Sequence, residues 1–225
     1  MIGVGTSLLF DRRAGKAGPP IPPFNKAMVD AWFMSGLSNA DKPSSIRGVK
    51  GNEMQLKNFV FTSESGFGEG NYEGALVFDG VDDYCICTGL PIMTDYTVIC
   101  RRNILNELPG YIAYKAISDK GSFHFESRIS SNNTIAIFSF GQQNRIKLEE
   151  NEVSWMTRTS YNGIPINFGD ASDTDQLHLC KFYNSYAKAA IYYFALYNKS
   201  LTPEEIEEEK VKLENYWEGG KNELA

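Results

Sequence analysis

Two groups of acidic residues carry side chains that could bind a metal ion. Three aspartates lie close together in GDASDTDQ, at Asp170, Asp173 and Asp175. Three more lie in FDGVDDY: Asp79, Asp82 and Asp83. Calcium prefers several oxygen ligands, which clustered carboxylates and loop carbonyls supply. Each group is therefore a candidate calcium site, and a solvated acidic loop is the alternative for each.

A second chemistry to test is glycoside hydrolysis, which needs paired carboxyl groups. A retaining glycosidase holds two carboxyls about 5 Å apart, and acids spaced two residues apart on a strand share one face of a sheet. Glu150 and Glu152 have that spacing, but their segment LEENEVS is typical of a polar connection. We therefore do not expect an enzyme, and a divergent glycosidase is kept as an alternative.

The two histidines, His124 and His178, are each flanked by apolar residues. The two-residue period of a strand turns each imidazole away from the core-facing neighbours. We therefore expect both at exposed sheet positions, where they contact a ligand only if that face is concave.

Aromatic residues make carbohydrate binding the remaining candidate chemistry. They form 13% of the sequence, and tyrosine and tryptophan combine an apolar ring with a polar group, which suits half-wet binding surfaces. Four of them lie at or near the ends of expected strands, where the loops of a sandwich gather: Trp155, Tyr161, Tyr183 and Tyr186. These four are the candidate carbohydrate-binding residues, with core packing as the alternative for each, and for Trp155 above all.

The four cysteines favour buried free thiols over a disulfide or a zinc site. Cys85 and Cys87 are two residues apart on an expected strand, so both face one side of a sheet and are poorly placed to bridge each other. Zinc would need a turn around that pair and suitably spaced partners. Together with Cys100 and Cys180, they favour a reducing compartment.

Short strands must position these residues. Runs rich in β-branched and aromatic residues follow one another from Asp83 to Tyr197, separated by Gly, Asn, Asp or Ser, which is typical of an antiparallel sandwich or barrel. Near the start, GALVFDGVDDY places Asp79 and Gly80 between two apolar runs, which predicts a β-hairpin. Asn162-Gly163 predicts a second hairpin turn.

That early segment, together with AIYYFALYNKSLTPEEI at residues 190–206, resembles the laminin-G-like domains of the concanavalin A-like lectin/glucanase superfamily. The resemblance covers roughly Asn71 to Ile206. It implies an all-β fold, a concanavalin A-like jelly-roll β-sandwich of two antiparallel sheets. It also implies a non-catalytic module that recognises a glycan or a protein surface, within a phage, prophage or cell-surface assembly.

A C-terminal helix is expected over residues 202–217. Thr202 and Glu205 have the spacing of a capping box, and Glu208 is placed to pair with Lys212. Three apolar residues fall on one face, which would pack against the sandwich: Ile206, Leu213 and Trp217.

Residues 1–24 form a Pro-rich arm, because the prolines of GPPIPPF favour an extended polyproline conformation. The arm either docks on another subunit, giving a homo-oligomer or larger assembly, or lies as a strap along the sandwich. The sandwich domain then covers residues 25–217, and residues 218–225 form a tail.

Composition limits the partners. The formal net charge is -6, and without a basic stripe nucleic acid is not an expected partner. The apolar stretch of residues 189–197 is too short to span a membrane, and no signal-peptide pattern is present. We therefore expect cytoplasmic synthesis, with assembly into a larger particle. The alternative to a binding module is a purely structural oligomeric subunit without a small ligand.

Overall fold

A computed structural model describes residues 11–13, 16–17, 20–105, 111–115, 123–130, 134–139, 142–147, 153–169 and 174–221. The first ten strands are β1 (Asp11–Arg13), β2 (Lys16–Ala17), β3 (Met28–Phe33), β4 (Ser45–Arg47), β5 (Glu53–Lys57), β6 (Gly66–Phe67), β7 (Leu76–Asp79), β8 (Tyr84–Cys87), β9 (Thr97–Ile104) and β10 (Tyr111–Lys115). The others are β11 (Phe123–Ser130), β12 (Thr134–Ser139), β13 (Gln142–Lys147), β14 (Val153–Thr157), β15 (Ser160–Tyr161), β16 (Ile164–Pro165), β17 (Leu177–Leu179), β18 (Lys181–Phe182), β19 (Ser185–Tyr186) and β20 (Lys188–Tyr197). A 3₁₀ turn covers Gly70–Tyr72, and helix α1 covers Pro203–Lys221.

The strands form two large antiparallel sheets. Sheet I has the order β13-β12-β11-β10-β17-β8-β5-β4, and sheet II has the order β16-β15-β14-β9-β20-β7-β6, with β3 also paired to β20. Two short pairs, β1-β2 and β18-β19, stand apart from them. The predicted fold class, an all-β sandwich with a C-terminal helix, is therefore confirmed.

The main core lies between the inner faces of the two sheets. Cys85, Cys87 and Leu179 of sheet I belong to the same buried cluster as Cys100 and Phe194 of sheet II. The alternation of apolar and polar residues along the strands produces this arrangement, because successive side chains point to opposite faces. All four cysteines are free and buried, so the prediction of free thiols is confirmed.

The GALVFDGVDDY segment forms a tight turn, but the predicted hairpin was wrong. Strand β7 pairs with β20 and β6 in sheet II, whereas β8 pairs with β17 and β5 in sheet I. Gly80 has a positive φ of 78°, and the Asp79 carboxylate accepts a hydrogen bond from Val81 N at 2.8 Å. The turn therefore carries the chain from one sheet to the other. The second predicted turn is confirmed, because β15 and β16 pair across Asn162-Gly163.

Helix α1 covers the outer face of sheet II. Thr202 N donates to the Glu205 carboxylate at 2.9 Å, and Glu205 N donates to Thr202 Oγ1 at 3.3 Å, which confirms the capping box. The three predicted apolar residues are buried against the sheet: Ile206, Leu213 and Trp217. The helix ends at Lys221 rather than at residue 217.

Polar contacts reinforce this docking. The Tyr193 hydroxyl donates to Glu214 at 2.6 Å, and the Tyr197 hydroxyl donates to Glu209 at 3.0 Å. Lys212 pairs with Glu209 at 2.7 Å, not with Glu208. The predicted pair was wrong because Glu209 faces the sheet, where it also binds Tyr197, and Glu208 is exposed.

The end of the Pro-rich arm lies along helix α1. The Phe24 and Tyr216 rings meet edge to face at 6.3 Å, and Asn25 N donates to Glu209 at 3.0 Å. A cleft of about 250 Å³ separates Pro20 and Pro22 from the helix. This part of the arm therefore acts as a strap. None of the described helical segments has the length and apolar character of a membrane span.

Candidate ligand-binding surface

The outer faces of the two sheets differ in what covers them. Sheet II is covered by helix α1, whereas sheet I presents a row of cross-strand neighbours on its outer side. The register places these residues opposite one another on successive strands: Ser45, Gln55, Ile86 and His178. The row is polar at the β4 edge and becomes aromatic toward β17.

Four residues, which we call the platform, lie where the row becomes aromatic: Tyr84, His178, Lys181 and Tyr186. The Tyr84 and His178 rings are nearly parallel, with centroids 6.4 Å apart. The Tyr84 and Tyr186 centroids are also 6.4 Å apart, at an angle of 46°. Lys181 Nζ lies 3.8 Å from the Tyr84 centroid and 5.8 Å from that of Tyr186. All four side chains are half-buried.

Strand alternation and one strained residue position the platform. Along β8, Cys85 and Cys87 are fully buried, so Tyr84 points outward. At the end of β17, Cys180 has a positive φ of 58°, a conformation that non-glycine residues seldom adopt. There the chain leaves sheet I and forms the β18-β19 hairpin, which brings Lys181 and Tyr186 to Tyr84.

The hairpin is anchored on sheet I by aromatic contacts. The Phe182 ring lies 4.9 Å from that of Tyr111 and 5.0 Å from that of His124. Tyr183, at the tip, packs on Phe182 at 4.6 Å and remains 55% exposed. His124 is thereby buried, so the expectation that it is exposed was wrong. It does point away from the core, but the hairpin covers it.

Burial sets the protonation of the groups around the platform. Burial, together with the Lys181 charge, lowers the pKa of His178 to about 4, so its imidazole is neutral at pH 7. Burial raises the pKa of Tyr111 to about 12, which keeps its hydroxyl protonated. Lys57 is the cross-strand neighbour of Tyr84, so a second cation flanks that ring.

The structure divides the four predicted carbohydrate-binding residues. Tyr186 belongs to the platform, and Tyr183 lies at the tip of the same β18-β19 hairpin. Tyr161 is 2% exposed, and its hydroxyl donates to Glu126 at 2.6 Å, so its assignment was wrong, because β15 turns the ring into the core. Trp155 is half-buried on β14, in the cluster on the helix side of sheet II. It therefore packs on the opposite face of the sandwich.

Sequence reasoning missed Tyr84, His178 and Lys181 as parts of one surface. The alternation in DYCICT does indicate that Tyr84 points outward, opposite to the two cysteines. Its contact with Lys181 joins segments far apart in sequence, so no local pattern reports it.

The acidic groups shape turns. Asp79, Asp82 and Asp83 each bring one carboxylate oxygen within 4.8 Å of the others. Asp79 accepts from backbone N–H groups of the turn, and Asp83 accepts from Asp79 N at 3.0 Å. Burial raises the pKa of Asp83 to about 6. Calcium binding at this group stays a prediction.

The second acidic group lies only partly within the described residues. Asp170 and Asp173 fall outside them, as do Glu150 and Glu152. Asp175 is exposed and accepts from Gly89 N at 3.2 Å. The buried Lys115 ammonium donates to the carbonyls of Pro91, at 3.3 Å, and of Thr174. The chain thus places a cation of its own at Thr174, next to Asp175 in the sequence.

A buried polar network links the two sheets. Glu126 accepts from Arg102 Nε at 2.6 Å and Nη2 at 2.9 Å, and Arg102 also donates to Ser154 at 2.6 Å. Burial disfavours the guanidinium charge, but Glu126 outweighs that effect and holds the pKa of Arg102 above its usual value. Because Arg102 and Glu126 are almost fully buried, this network joins the sheets and does not face a ligand.

Comparison with known proteins supports the fold alone. No protein-family model matches the sequence, and no curated protein matches it. Trypanosoma rangeli sialidase in complex with 2,3-difluoro-KDN is similar over 91% of this chain and 37% of its own, with a TM-score of 0.55 and 12% identity. The botulinum neurotoxin serotype D binding domain is similar over 86% of this chain and 53% of its own (TM-score 0.52, 12% identity).

The receptor binding domain of botulinum neurotoxin C/D mosaic serotype is similar over 86% of this chain and 55% of its own, with a TM-score of 0.55 and 11% identity. The chain therefore spans from about a third to just over half of these structures. These likenesses are consistent with a jelly-roll β-sandwich. No family model supports the narrower laminin-G-like resemblance.

Proposed function

We propose that this chain is a non-catalytic binding module that recognises a glycan through the platform of sheet I. The observation that carries this proposal is the pair of half-buried tyrosine rings, Tyr84 and Tyr186, on the outer face of sheet I. A sugar ring has an apolar face that stacks on an aromatic ring and hydroxyls that need polar partners. Gln55 and Lys57, on the neighbouring strand β5, supply such partners.

The similar structures support recognition in general. Two of them are named as binding domains of botulinum neurotoxins, and the sialidase structure holds a sugar derivative. Because fold does not determine function, they support the proposal only as analogy. The main support for the proposed function comes from the side chains of the platform.

The charges on this face favour binding over hydrolysis. Among the described residues of β4, β5, β8 and β17, the one outward carboxylate is Glu53. It lies 3.9 Å from Arg47. Glycosidases commonly use two carboxyl groups that flank the scissile bond, and this part of the face does not supply a pair.

A glycan array of the purified chain tests the proposal. We expect Tyr84→Ala to weaken binding about tenfold, which corresponds to ~1.4 kcal/mol of lost stacking and desolvation. Val211→Ala, on the exposed side of helix α1, is the control and should bind as the wild type does. Circular dichroism establishes that each variant is folded.

The array is run in calcium and again with a chelator. If binding is lost with the chelator, the two groups of aspartates would be supported as metal ligands. A folded wild type that binds no glycan, or a Tyr84→Ala variant that binds unchanged, would overturn the proposal. Such a result, with a stable oligomer in solution, would instead support a structural subunit.

A further inference from the structure

We propose that the glycan carries an acidic group, a carboxylate or a sulfate, and that Lys181 is the residue that selects it. This inference rests on the proposed function, because it concerns the ligand of the same platform. The observation behind it is the position of the Lys181 ammonium, 3.8 Å from the centroid of the Tyr84 ring.

A sugar that stacks on that face of Tyr84 must first displace the ammonium. A cation above an exposed aromatic ring contributes a factor of about two to five to an equilibrium. A neutral sugar loses this factor and leaves the ammonium in water. An acidic sugar gives the displaced ammonium a new partner, so its anionic group offsets the loss.

The hairpin permits this exchange without unfolding. Phe182 fixes its base against Tyr111 and His124. Lys181 has a long, flexible stem, so its ammonium can swing away from the ring while the backbone stays in place. An anion can therefore bind to Lys181 without any rearrangement of the hairpin backbone.

The charges on the strands of the platform also favour an anion. On the described strands β4, β5, β8, β17, β18 and β19, the charged residues are Arg47, Lys57 and Lys181, which are positive, and Glu53, which is negative. His178 adds no charge at pH 7, because its pKa is lowered to about 4. These strands carry three positive residues and one negative residue on a chain whose formal net charge is -6, and the aspartates of the adjoining turn, Asp79, Asp82 and Asp83, lie at their edge. Such local fields concentrate ligands of opposite sign.

The test uses an array in which each acidic glycan is paired with its methyl-esterified or desulfated counterpart. Calorimetric titrations of the strongest binders follow, at low and at high salt. The variants are Lys181→Gln, Lys181→Arg and Tyr84→Ala. Lys210→Gln is the matched control, because it removes the same charge from helix α1, on the other side of the sandwich.

We expect acidic glycans to bind about fivefold more tightly than their neutral counterparts at low salt, and less so at high salt. Lys181→Gln should abolish this preference, Lys181→Arg should keep it, and Lys210→Gln should not change it. The esterified and desulfated arms separate carboxylate from sulfate recognition.

Two results would overturn the inference in different ways. In the first, glycans bind and Tyr84→Ala weakens this binding, but acidic and neutral glycans bind equally, or Lys181→Gln keeps the preference for acidic glycans. Selection by Lys181 is then refuted, and the proposed function stands. In the second, the folded wild type binds no glycan, or the Tyr84→Ala variant binds as the wild type does. The proposed function then fails, and the inference fails with it.

Discussion

Removal of the buried carboxylate that links the two sheets should destabilise the sandwich strongly. Glu126 is fully buried and accepts three short hydrogen bonds, two from Arg102 and one from Tyr161. The Glu126→Gln variant leaves the Arg102 guanidinium buried without a counter-charge. Loss of one partner of a buried ion pair costs about 3–5 kcal/mol. That is a large part of the ~5–15 kcal/mol by which a typical domain is stable.

Urea unfolding followed by tryptophan fluorescence measures this change. The double variant Arg102→Met/Glu126→Gln removes both charges of this pair, so it should be more stable than Glu126→Gln alone. Tyr161→Phe removes one hydrogen bond to a charged group and should cost about 1.5–3 kcal/mol. A Glu126→Gln loss below ~1 kcal/mol would refute this reasoning. So would a double variant whose loss equals the sum of the losses measured for the single variants Glu126→Gln and Arg102→Met.

Three further predictions concern single residues. Asp30 is fully buried and accepts from the backbone N–H groups of Lys50 and Asn52 at 2.8 Å; Asp30→Ala should therefore cost about 3 kcal/mol in urea unfolding, and a near-neutral result would contradict it. Thr202→Ala removes the helix cap and should cost about 1 kcal/mol, and equal melting of variant and wild type would count against the cap. Because the folded pKa of His178, about 4, lies below the unfolded value of ~6.5, stability should fall as pH drops between those values. Titration of unfolding from pH 7 to 4 should show a smaller fall for His178→Gln.

Asp83 acts in the opposite direction over the same pH range. Its folded pKa of about 6 lies above its usual value of 3.8, so its ionisation removes stability as pH rises through that interval. The difference between wild type and His178→Gln isolates the histidine, because both proteins keep Asp83. Parallel pH curves for the two proteins would contradict the assignment of this effect to His178.

The parts of the fold that depend on local chemistry could be predicted from the sequence. Strand alternation placed Cys85 and Cys87 on the inner face, and the capping box at Thr202 located the start of helix α1. Asn162-Gly163 marked a hairpin turn, because both residues accept the positive φ that such a turn needs. In each of these cases the local structure is determined by a few residues that are adjacent in the sequence.

The parts that depend on tertiary pairing could not be predicted. Asp79-Gly80 specifies a tight turn, but such a turn is compatible with a hairpin and with a connection between two sheets. The strands that pair with β7 and β8 come from distant parts of the sequence, and they determine which of the two forms. Tyr161 was a surface candidate because it lies near a strand end, but its orientation on the two-residue strand β15 depends on the register with β14. A shift of one residue moves a side chain to the other face.

The platform shows the same limit. Tyr186 was identified from its residue type and its place near a strand end, whereas Tyr84 was not. Their meeting depends on Cys180, whose positive φ coincides with the point where the chain leaves sheet I and crosses its outer face. Residue type indicated aromatic candidates for a binding site, but only the fold shows which residues form the platform.

Hydrogen–deuterium exchange with the strongest-binding glycan of the array tests the central claim most directly. The account predicts slower exchange in peptides that cover residues 84–87 and 177–186, with no change in helix α1. Slower exchange confined to the turn at residues 79–83, or to β14 around Trp155, would contradict the platform as the binding surface.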